Sequence, residues 1–383
     1  MGKKRRQRAR KGTGTIVERD GRFMAQVGLG VRPDSGRQRR SKTFDTREQA
    51  EQWLLGMRVR ADELTGGVAD QTLATYLRWW IEHEAPKGKP GRAPLAESTV
   101  HGYRSNIEPH IIPALGTRKV GELTVAELDR FANAKLQEGL APSTVNRFRE
   151  TLHSALSTAV RQDRLMRNVA RYGGDVGVEC PPVDRFTDDE LARILTAARD
   201  EPFYPVILAL ARTGLRAGEA CGLRWRDLAL TGPRPRLSVV WQLDKWGGLV
   251  RPKSPSARRT LPLRPEVVEV LEGWRARQDV WADRLGEEWG NEHDLAFTTR
   301  TGGPVWARNV GRVFTRAQQQ ARVRHGSLKT LRSTVATQLA EAGVHPRKAQ
   351  AFLGHADMTT TMKYYTAVGD LDDLANLLPD FDV

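Results

Sequence analysis

Thr213-Gly-Leu-Arg-Ala-Gly-Glu219, continued by Gly222-Leu-Arg-Trp225 and Asp227, sets Arg216 and Glu219 three residues apart among glycines. On a helix such a pair shares one face, so the carboxylate can orient a basic neighbour. Further groups follow in order: Lys329-Thr-Leu-Arg332, Leu353-Gly-His355, and Tyr364 nine positions after the histidine. Lys253 lies between them, after a hairpin-like stretch in which Leu237-Ser-Val-Val-Trp-Gln242 reads as one strand and Gly247-Gly-Leu-Val250 leads into the next. Upstream, Thr187-Asp-Asp-Glu190 opens a helix with carboxylates at its N-terminal end. The pattern predicts a mainly helical domain with a small β-hairpin over residues 186–368.

These residue types suit one kind of chemistry. A phosphodiester repels nucleophiles, and more negative charge gathers on its equatorial oxygens as a new bond forms, so cations placed beforehand stabilise the transition state. Arginine binds two phosphate oxygens through its planar fork and stays charged, which assigns Arg216 and Arg332 to the phosphate. Tyr364 is the candidate nucleophile; a phenol with an ordinary pKa of about 10 needs nearby cations or a proton acceptor to attack at neutral pH. An arginine taken singly from 61 Lys and Arg is more often a solvated one, and the flanking motifs are what distinguish these.

An arginine box, a hairpin lysine, a second box ending in arginine, a Leu-Gly-His box and a tyrosine, in this order, resemble the tyrosine recombinase (lambda-type, phage integrase) family. The resemblance covers essentially the whole chain and is strongest from Phe186 onward. Pro252-Lys-Ser and Arg258-Arg-Thr-Leu-Pro262 resemble the family's hairpin segment, which implies that Lys253 protonates the departing 5′ oxygen. It also implies that His355 donates a hydrogen bond to a nonbridging oxygen, and its nine-residue step selects Tyr364 over the adjacent Tyr365. The implied activity is that of a site-specific DNA recombinase integrating or excising a mobile element through a 3′-phosphotyrosyl link and a free 5′ hydroxyl. That link stores the bond energy, so no cofactor is expected, metal or nucleotide, and the sequence has no Walker loop or clustered carboxylate metal site. The implied partners are double-stranded DNA attachment sites and a homotetramer on DNA, with an excision factor or a DNA-bending host protein as accessories.

The second box departs from the family. Lys329 occupies its histidine position, and Ser333 follows Arg332 where histidine is frequent. Lysine can donate to a phosphate oxygen, but with an ordinary pKa of about 10.4 it is a poor proton acceptor. His325, four residues earlier, belongs to no motif, and Asn168-Val169 stands where Asn-Pro is often found. Two alternatives follow: a type IB topoisomerase-like nicking and resealing enzyme, disfavoured by the separate N-terminal segments, and a catalytically impaired DNA-binding accessory protein, which Lys329 keeps open.

The 383 residues favour two or three domains, and a formal charge of +15 favours a polyanionic partner through counterion release. No apolar run approaches the roughly 18 residues that span a bilayer, so a soluble cytoplasmic protein associated with the nucleoid is expected, with no membrane partner. Cys180 and Cys221 are the only cysteines and form no CxxC, which argues against a disulfide scaffold or zinc ribbon. The expected architecture is multidomain. Residues 1–13 are a basic disordered arm. Residues 14–65 form a small α+β arm-type DNA-binding domain, a three-stranded sheet covered by a helix with a capping box at Asp45 and Glu48 and an apolar face of Ala50, Trp53, Leu54 and Met57. Its basic strand, carrying Arg37, Arg39, Arg40 and Lys42, is the expected DNA face; such charge also protects an edge strand from aggregation. Residues 71–172 form an all-α core-binding bundle in which Arg147, Arg149, Arg161 and Lys135 are candidates to face phosphates. Residues 173–185 are a Gly/Pro-rich linker. In the tail, 369–383, Leu371, Leu374, Leu377 and Leu378 form an apolar stripe suited to a neighbouring subunit, or equally to its own domain.

Overall fold

Residues 15–19, 21–32, 36–53, 68–174, 176–177, 183–252 and 254–366 are described by a computed structural model. The chain divides into two units, Met1–Glu179 and Cys180–Val383.

In the first unit, the run before Gly21 and the runs after it form an antiparallel sheet in the order β1 (Thr15–Arg19), β2 (Arg22–Arg32) and β3 (Gly36–Phe44). Gly21 turns the chain at φ +72°, a region closed to most side chains. Residues 47–53 form helix α1, which covers the sheet through buried Ala50 against Ala25, with Phe44 and Trp53 rings 5.9 Å apart. The helix starts one residue later than its capping-box spacing suggests. Thr46 Oγ1 accepts from the Gln49 N–H at 3.3 Å, while Asp45 pairs with Arg22 at 3.2 Å. Arg37, Arg39 and Arg40 lie on β3 opposite Val31, Gly28 and Val27, and Lys42, opposite Ala25, is exposed. Leu54 and Met57 lie outside the described residues.

The bundle is built from α2 (Leu73–His83), α3 (Glu97–Asn106), α4 (Ile112–Leu115), α5 (Val125–Gln137) and α6 (Pro142–Arg161). Leu73, Tyr76, Leu77 and Trp80 recur at helical spacing and are all buried. Each such side chain contributes about 1.5–3 kcal/mol by leaving water. The two polar aromatics also find acceptors on α6: Tyr76 Oη donates to the Ala155 carbonyl at 2.6 Å and Trp80 Nε1 to Thr158 Oγ1 at 3.2 Å. Between α3 and α4 the chain widens into a π turn at Ile107–Ile111, where Pro109 has no N–H to donate. A reciprocal Thr124–Glu127 capping box starts α5.

Arg149 is buried on α6, whereas a phosphate-facing residue must be exposed. Its guanidinium pairs with Asp129 at 2.9 Å and donates to the Gly174 carbonyl, and Asn146 Nδ2 donates to the Val176 carbonyl at 2.9 Å. The side chain therefore fastens the start of the 173–185 segment to the bundle. Lys135 is likewise buried and held by Glu138 at 2.8 Å, while Arg147 and Arg161 are exposed.

The second unit begins with α7 (Asp188–Ala198), α8 (Tyr204–Thr213) and α9 (Ala217–Cys221). Val206 to Ala211 of α8 are all buried, which makes it the central helix of the core. Strands β4 (Leu228–Ala229), β5 (Arg236–Val239) and β8 (Arg259–Pro262) form one antiparallel sheet, and β6 (Gln242–Leu243) pairs with β7 (Leu249–Val250) in a separate one. Leu237–Gln242 is therefore not one strand; it is interrupted at Val240 and Trp241 and its two pieces join different sheets. Helices α10 (Pro265–Leu285), α11 (Ala307–Gln320), α12 (Leu328–Glu341), α13 (Pro346–Leu353) and α14 (Met358–Tyr365) follow. The entering chain is stitched along α12: Thr330 Oγ1 donates to Asp184 at 2.7 Å, the Phe186 N–H to Thr334 Oγ1 at 2.9 Å, and Gln338 to Asp188 at 2.7 Å.

Replacing Arg149 by alanine should lower the stability of the first unit by about 2 kcal/mol, the scale of hydrogen bonds to a charged group. The measurement is the urea midpoint; an unchanged midpoint would show that the Asp129 and Gly174 contacts contribute nothing.

Candidate active site

Glu219 is the residue around which the site is assembled. It is 1% exposed, and a buried carboxylate stays ionised only where cations and donors compensate for lost water. Arg216 immediately precedes α9, so its own N–H reaches Glu219 Oε2 at 3.0 Å, as in half of a capping box. The Arg216 side chain folds back to Glu219 Oε1 at 2.6 Å and leaves its other nitrogen to donate to the Gly354 carbonyl at 3.0 Å. On the opposite side Arg259 Nη2 donates to Glu219 Oε2 at 3.0 Å. Burial alone raises the proton affinity of Glu219, but Arg259 first and then Arg216 outweigh it, and the carboxyl ends below its ordinary range.

Arg332 comes in from α12. Its two terminal nitrogens donate to the carbonyls of Gly214 at 2.6 Å and Leu353 at 2.5 Å, at the C-terminal ends of α8 and α13. Helix C-termini carry partial negative charge, so they hold a guanidinium without using a carboxylate. Gly214 (φ +62°) and Gly354 (φ +68°) end these helices in left-handed conformation. A Cβ on Gly354 would lie 2.8 Å from Arg259 Nη1, so glycine is also required there for space. Burial and the neighbouring Arg216 lower the pKa of Arg332 to about 9, which leaves it charged at neutral pH.

His355 is 5% exposed, with Nδ1 2.9 Å from Thr361 Oγ1. Burial, then Arg332, Arg216 and Arg259, lower its pKa to about 4. The imidazole is thus neutral at pH 7. Tyr364 stacks on it, with ring centroids 6.2 Å apart and planes 15° apart, and its hydroxyl lies 3.5 Å from Ser333 Oγ. The phenol is half-buried, packed against the small cluster of Val335, Ala336 and Leu353. Tyr365 points elsewhere, its hydroxyl donating to the Val344 carbonyl.

The structure thus brings together Arg216, Glu219, Arg332, His355 and Tyr364. Lys329 is exposed in the first turn of α12 and has no hydrogen bond or ion pair among the described residues. Lys253 lies outside the described residues. Two members of the cluster, Arg259 and Thr361, receive no role from the sequence, although Arg259 lies within the Arg258–Pro262 segment quoted above. The available signal for Arg259 is alternation: Arg259 and Leu261 are two apart on β8, so the arginine shares the inward face with a core leucine.

Fixed guanidinium groups and a neutral imidazole beside a phenol can receive a phosphate diester and attack it, which defines the class as a phosphoryl-transfer protein with a tyrosine at its centre. Comparison with known proteins is specific: the chain belongs to the phage integrase family, residues 184–370 matching the phage integrase model and residues 72–136 its N-terminal SAM-like domain. An integrase of Streptomyces ambofaciens is 28% identical over 361 residues, covering 91% of this chain and 90% of that one. A tyrosine recombinase XerC-like protein of Caldanaerobacter subterraneus is 25% identical over 338 residues, covering 83% and 84%. Among solved structures, the Tn1549 transposon integrase in complex with circular intermediate DNA matches with a TM-score of 0.65 at 22% identity, covering 80% of this chain and 98% of that one. A lambda integrase tetramer bound to a Holliday junction matches at 0.57 and 19%, covering 94% and 96%. These structural likenesses establish a shared fold.

The low pKa of His355 has a thermodynamic consequence. From about 6.5 down to about 4 the unfolded chain binds a proton at this residue that the native protein does not, so stability is lost as pH falls through that window and rises again with pH. Replacing His355 by asparagine should flatten the slope of unfolding free energy against pH there by up to about one proton. Urea titrations across the window read it directly, and an unchanged slope would mean that the imidazole titrates normally.

Proposed function

We propose that this protein is a site-specific DNA recombinase that cuts and rejoins DNA through a covalent link to Tyr364. The observation that carries this reading is the placement of the Tyr364 phenol over His355, where it interacts electrostatically with Arg332, while the hydroxyl of Tyr365 is committed to a backbone carbonyl. Relatives named integrase and tyrosine recombinase over most of their length support it.

In this mechanism Arg216 and Arg332 receive the nonbridging oxygens of the scissile phosphate. They are already held by Glu219 and by helix-terminal carbonyls, so little reorganisation is needed as charge develops. Thr361, donating its hydroxyl proton to Nδ1, keeps the imidazole proton of His355 on Nε2, where it is a donor to the phosphate. The Tyr364 oxygen, losing its proton to solvent, attacks phosphorus and the bond to the 5′ oxygen breaks, leaving a 3′-phosphotyrosyl protein and a 5′ hydroxyl. Lys253 supplies the proton to that leaving oxygen. Attack by a 5′ hydroxyl from a partner duplex reverses the chemistry and releases Tyr364. Lys329 is a cation at a helix N-terminus, which the helix dipole disfavours by about 0.3–1 kcal/mol, and it pairs with no carboxylate among the described residues. An incoming phosphate would offset that cost.

The β3 cations Arg37, Arg39, Arg40 and Lys42 contact arm-type DNA in this reading, and the exposed Arg147 contacts core-site phosphates. The protein works in the cytoplasm on double-stranded attachment sites as a homotetramer, as the lambda integrase bound to a Holliday junction suggests, with an excision factor or DNA-bending protein setting direction. No helix among the described residues is long and apolar enough to cross a membrane.

Nicked duplexes taken from DNA flanking the gene test the reading by their denaturant-resistant protein adducts. The adduct should form with wild type and Tyr365→Phe, vanish with Tyr364→Phe, and fall about 100-fold with Arg332→Ala, the scale of one lost oxyanion donor. Lys329→Ala should weaken it without abolishing DNA binding. Specific binding with no wild-type adduct would favour an accessory DNA-binding protein. Deleting residues 369–383 should leave the adduct on a nicked half-site intact but remove tetramers on full sites in sedimentation; unchanged tetramers would exclude the tail as a docking segment.

A further inference from the structure

We propose that Arg259 is a positioning residue of the active site, tying the hairpin strand, the Arg216 box and the Leu-Gly-His turn into one frame. This role presupposes phosphoryl transfer at Tyr364 as read above, but its geometry stands independently of that reading.

Arg259 occupies the inward face of β8, with Val239 of β5 as its register partner, and its side chain is 6% exposed. A guanidinium taken out of water is tolerated only where its donors meet acceptors. All three Arg259 nitrogens do, and each acceptor belongs to a different segment. Nε donates to the Phe352 carbonyl at 2.7 Å, Nη1 to the Ala257 carbonyl at 2.9 Å, and Nη2 to Glu219 Oε2 at 3.0 Å. Phe352 lies in the last turn of α13, three residues before His355. Ala257 lies between Lys253 and β8. Glu219 is the carboxylate that holds Arg216.

In Arg259 the Nε donates to protein as well as both terminal nitrogens, whereas in Arg216 and Arg332 only the terminal nitrogens do among the described residues, so Arg259 is not arranged as a phosphate ligand. It acts through others. Without it, Glu219 would be a buried carboxylate with Arg216 as its remaining ion-pair partner among the described residues, drawing that guanidinium inward, and the Phe352 carbonyl would lose its donor just before the turn that aims His355. A lysine would restore charge but not three directions of donation from a planar fork. Arg259 also belongs to the set of charged groups facing the His355 imidazole: with Arg332 on α12 and Arg216 before α9 it opposes protonation, Glu219 favours it, and Tyr364 on α14 stacks on the ring.

The experiment compares wild type, Arg259→Gln and Arg259→Lys in two measurements: the NMR titration of His355 in the free protein, and single-turnover adduct formation on nicked attachment-site DNA as a function of pH. Both variants should bind DNA as wild type does, yet form the adduct on the order of 10-fold to 100-fold more slowly, the scale of a displaced reacting group. Arg259→Gln should also move the His355 midpoint upward from about 4, and the acid limb of the rate should follow. Arg259→Lys should retain the low midpoint and remain slow. Full rate in Arg259→Lys, or a loss uniform in pH that tracks weaker DNA binding, would overturn the positioning role in favour of bulk charge or plain stability. If wild type forms no adduct at all, the recombinase reading fails, while a shifted His355 midpoint in Arg259→Gln still supports the frame and an unshifted one refutes it.

Discussion

An ionised carboxylate removed from water must be compensated on all sides, and Glu219 is compensated locally by Arg216, three residues before it, and from a distance by Arg259, 40 residues after it. Desolvation of such a group costs several kcal/mol, and leaving it without its partner is destabilising by about 3–5 kcal/mol in comparable buried pairs. That penalty makes the arrangement specific. The strand bearing Arg259 and the helix bearing Glu219 have one low-energy way to meet, and Arg216 is fixed as a consequence.

The remaining guanidinium contacts follow a different rule. Arg332 is held by the carbonyls of Gly214 and Leu353, and Arg216 also reaches the Gly354 carbonyl, so helix ends substitute for further carboxylates. Three guanidinium groups, Arg216, Arg259 and Arg332, therefore stand against one carboxylate, Glu219, and two positive charges are left without a counter-charge in this cluster. A site with that surplus is prepared for an anion. Together with burial, which acts most strongly, it also keeps His355 neutral, since adding a proton there would place a further cation beside the first three. Neutral histidine and cationic arginine are thus linked parts of one electrostatic arrangement.

Much of this is legible in the residues themselves. The apolar face of α2, the capping box at Thr124, the carboxylates that open α7, and the ordered motifs from Arg216 to Tyr364 are local patterns, and helix periodicity or spacing expresses them directly. Where local patterns mislead, tertiary contacts are responsible. Arg149 has the composition of a surface cation, but Asp129 and the backbone of Gly174 bring it inside. Leu237–Gln242 has the alternation of a single strand, yet its halves pair with β8 and β7 in separate sheets. A cation in a strand reads as solvated unless its partner is known, and for Arg259 that partner lies 40 residues earlier.

The chain by itself therefore determined which segments become helices, which groups are available for chemistry, and that they suit a phosphodiester. These properties depend on residue type and on spacing of a few positions. Only the tertiary structure decided that Arg259 shares Glu219 with Arg216, that helix ends receive Arg332, and that Thr361 faces the imidazole of His355. Those outcomes depend on where buried polar groups find partners across the fold, and satisfying them is a condition on the whole domain that no local stretch of sequence contains.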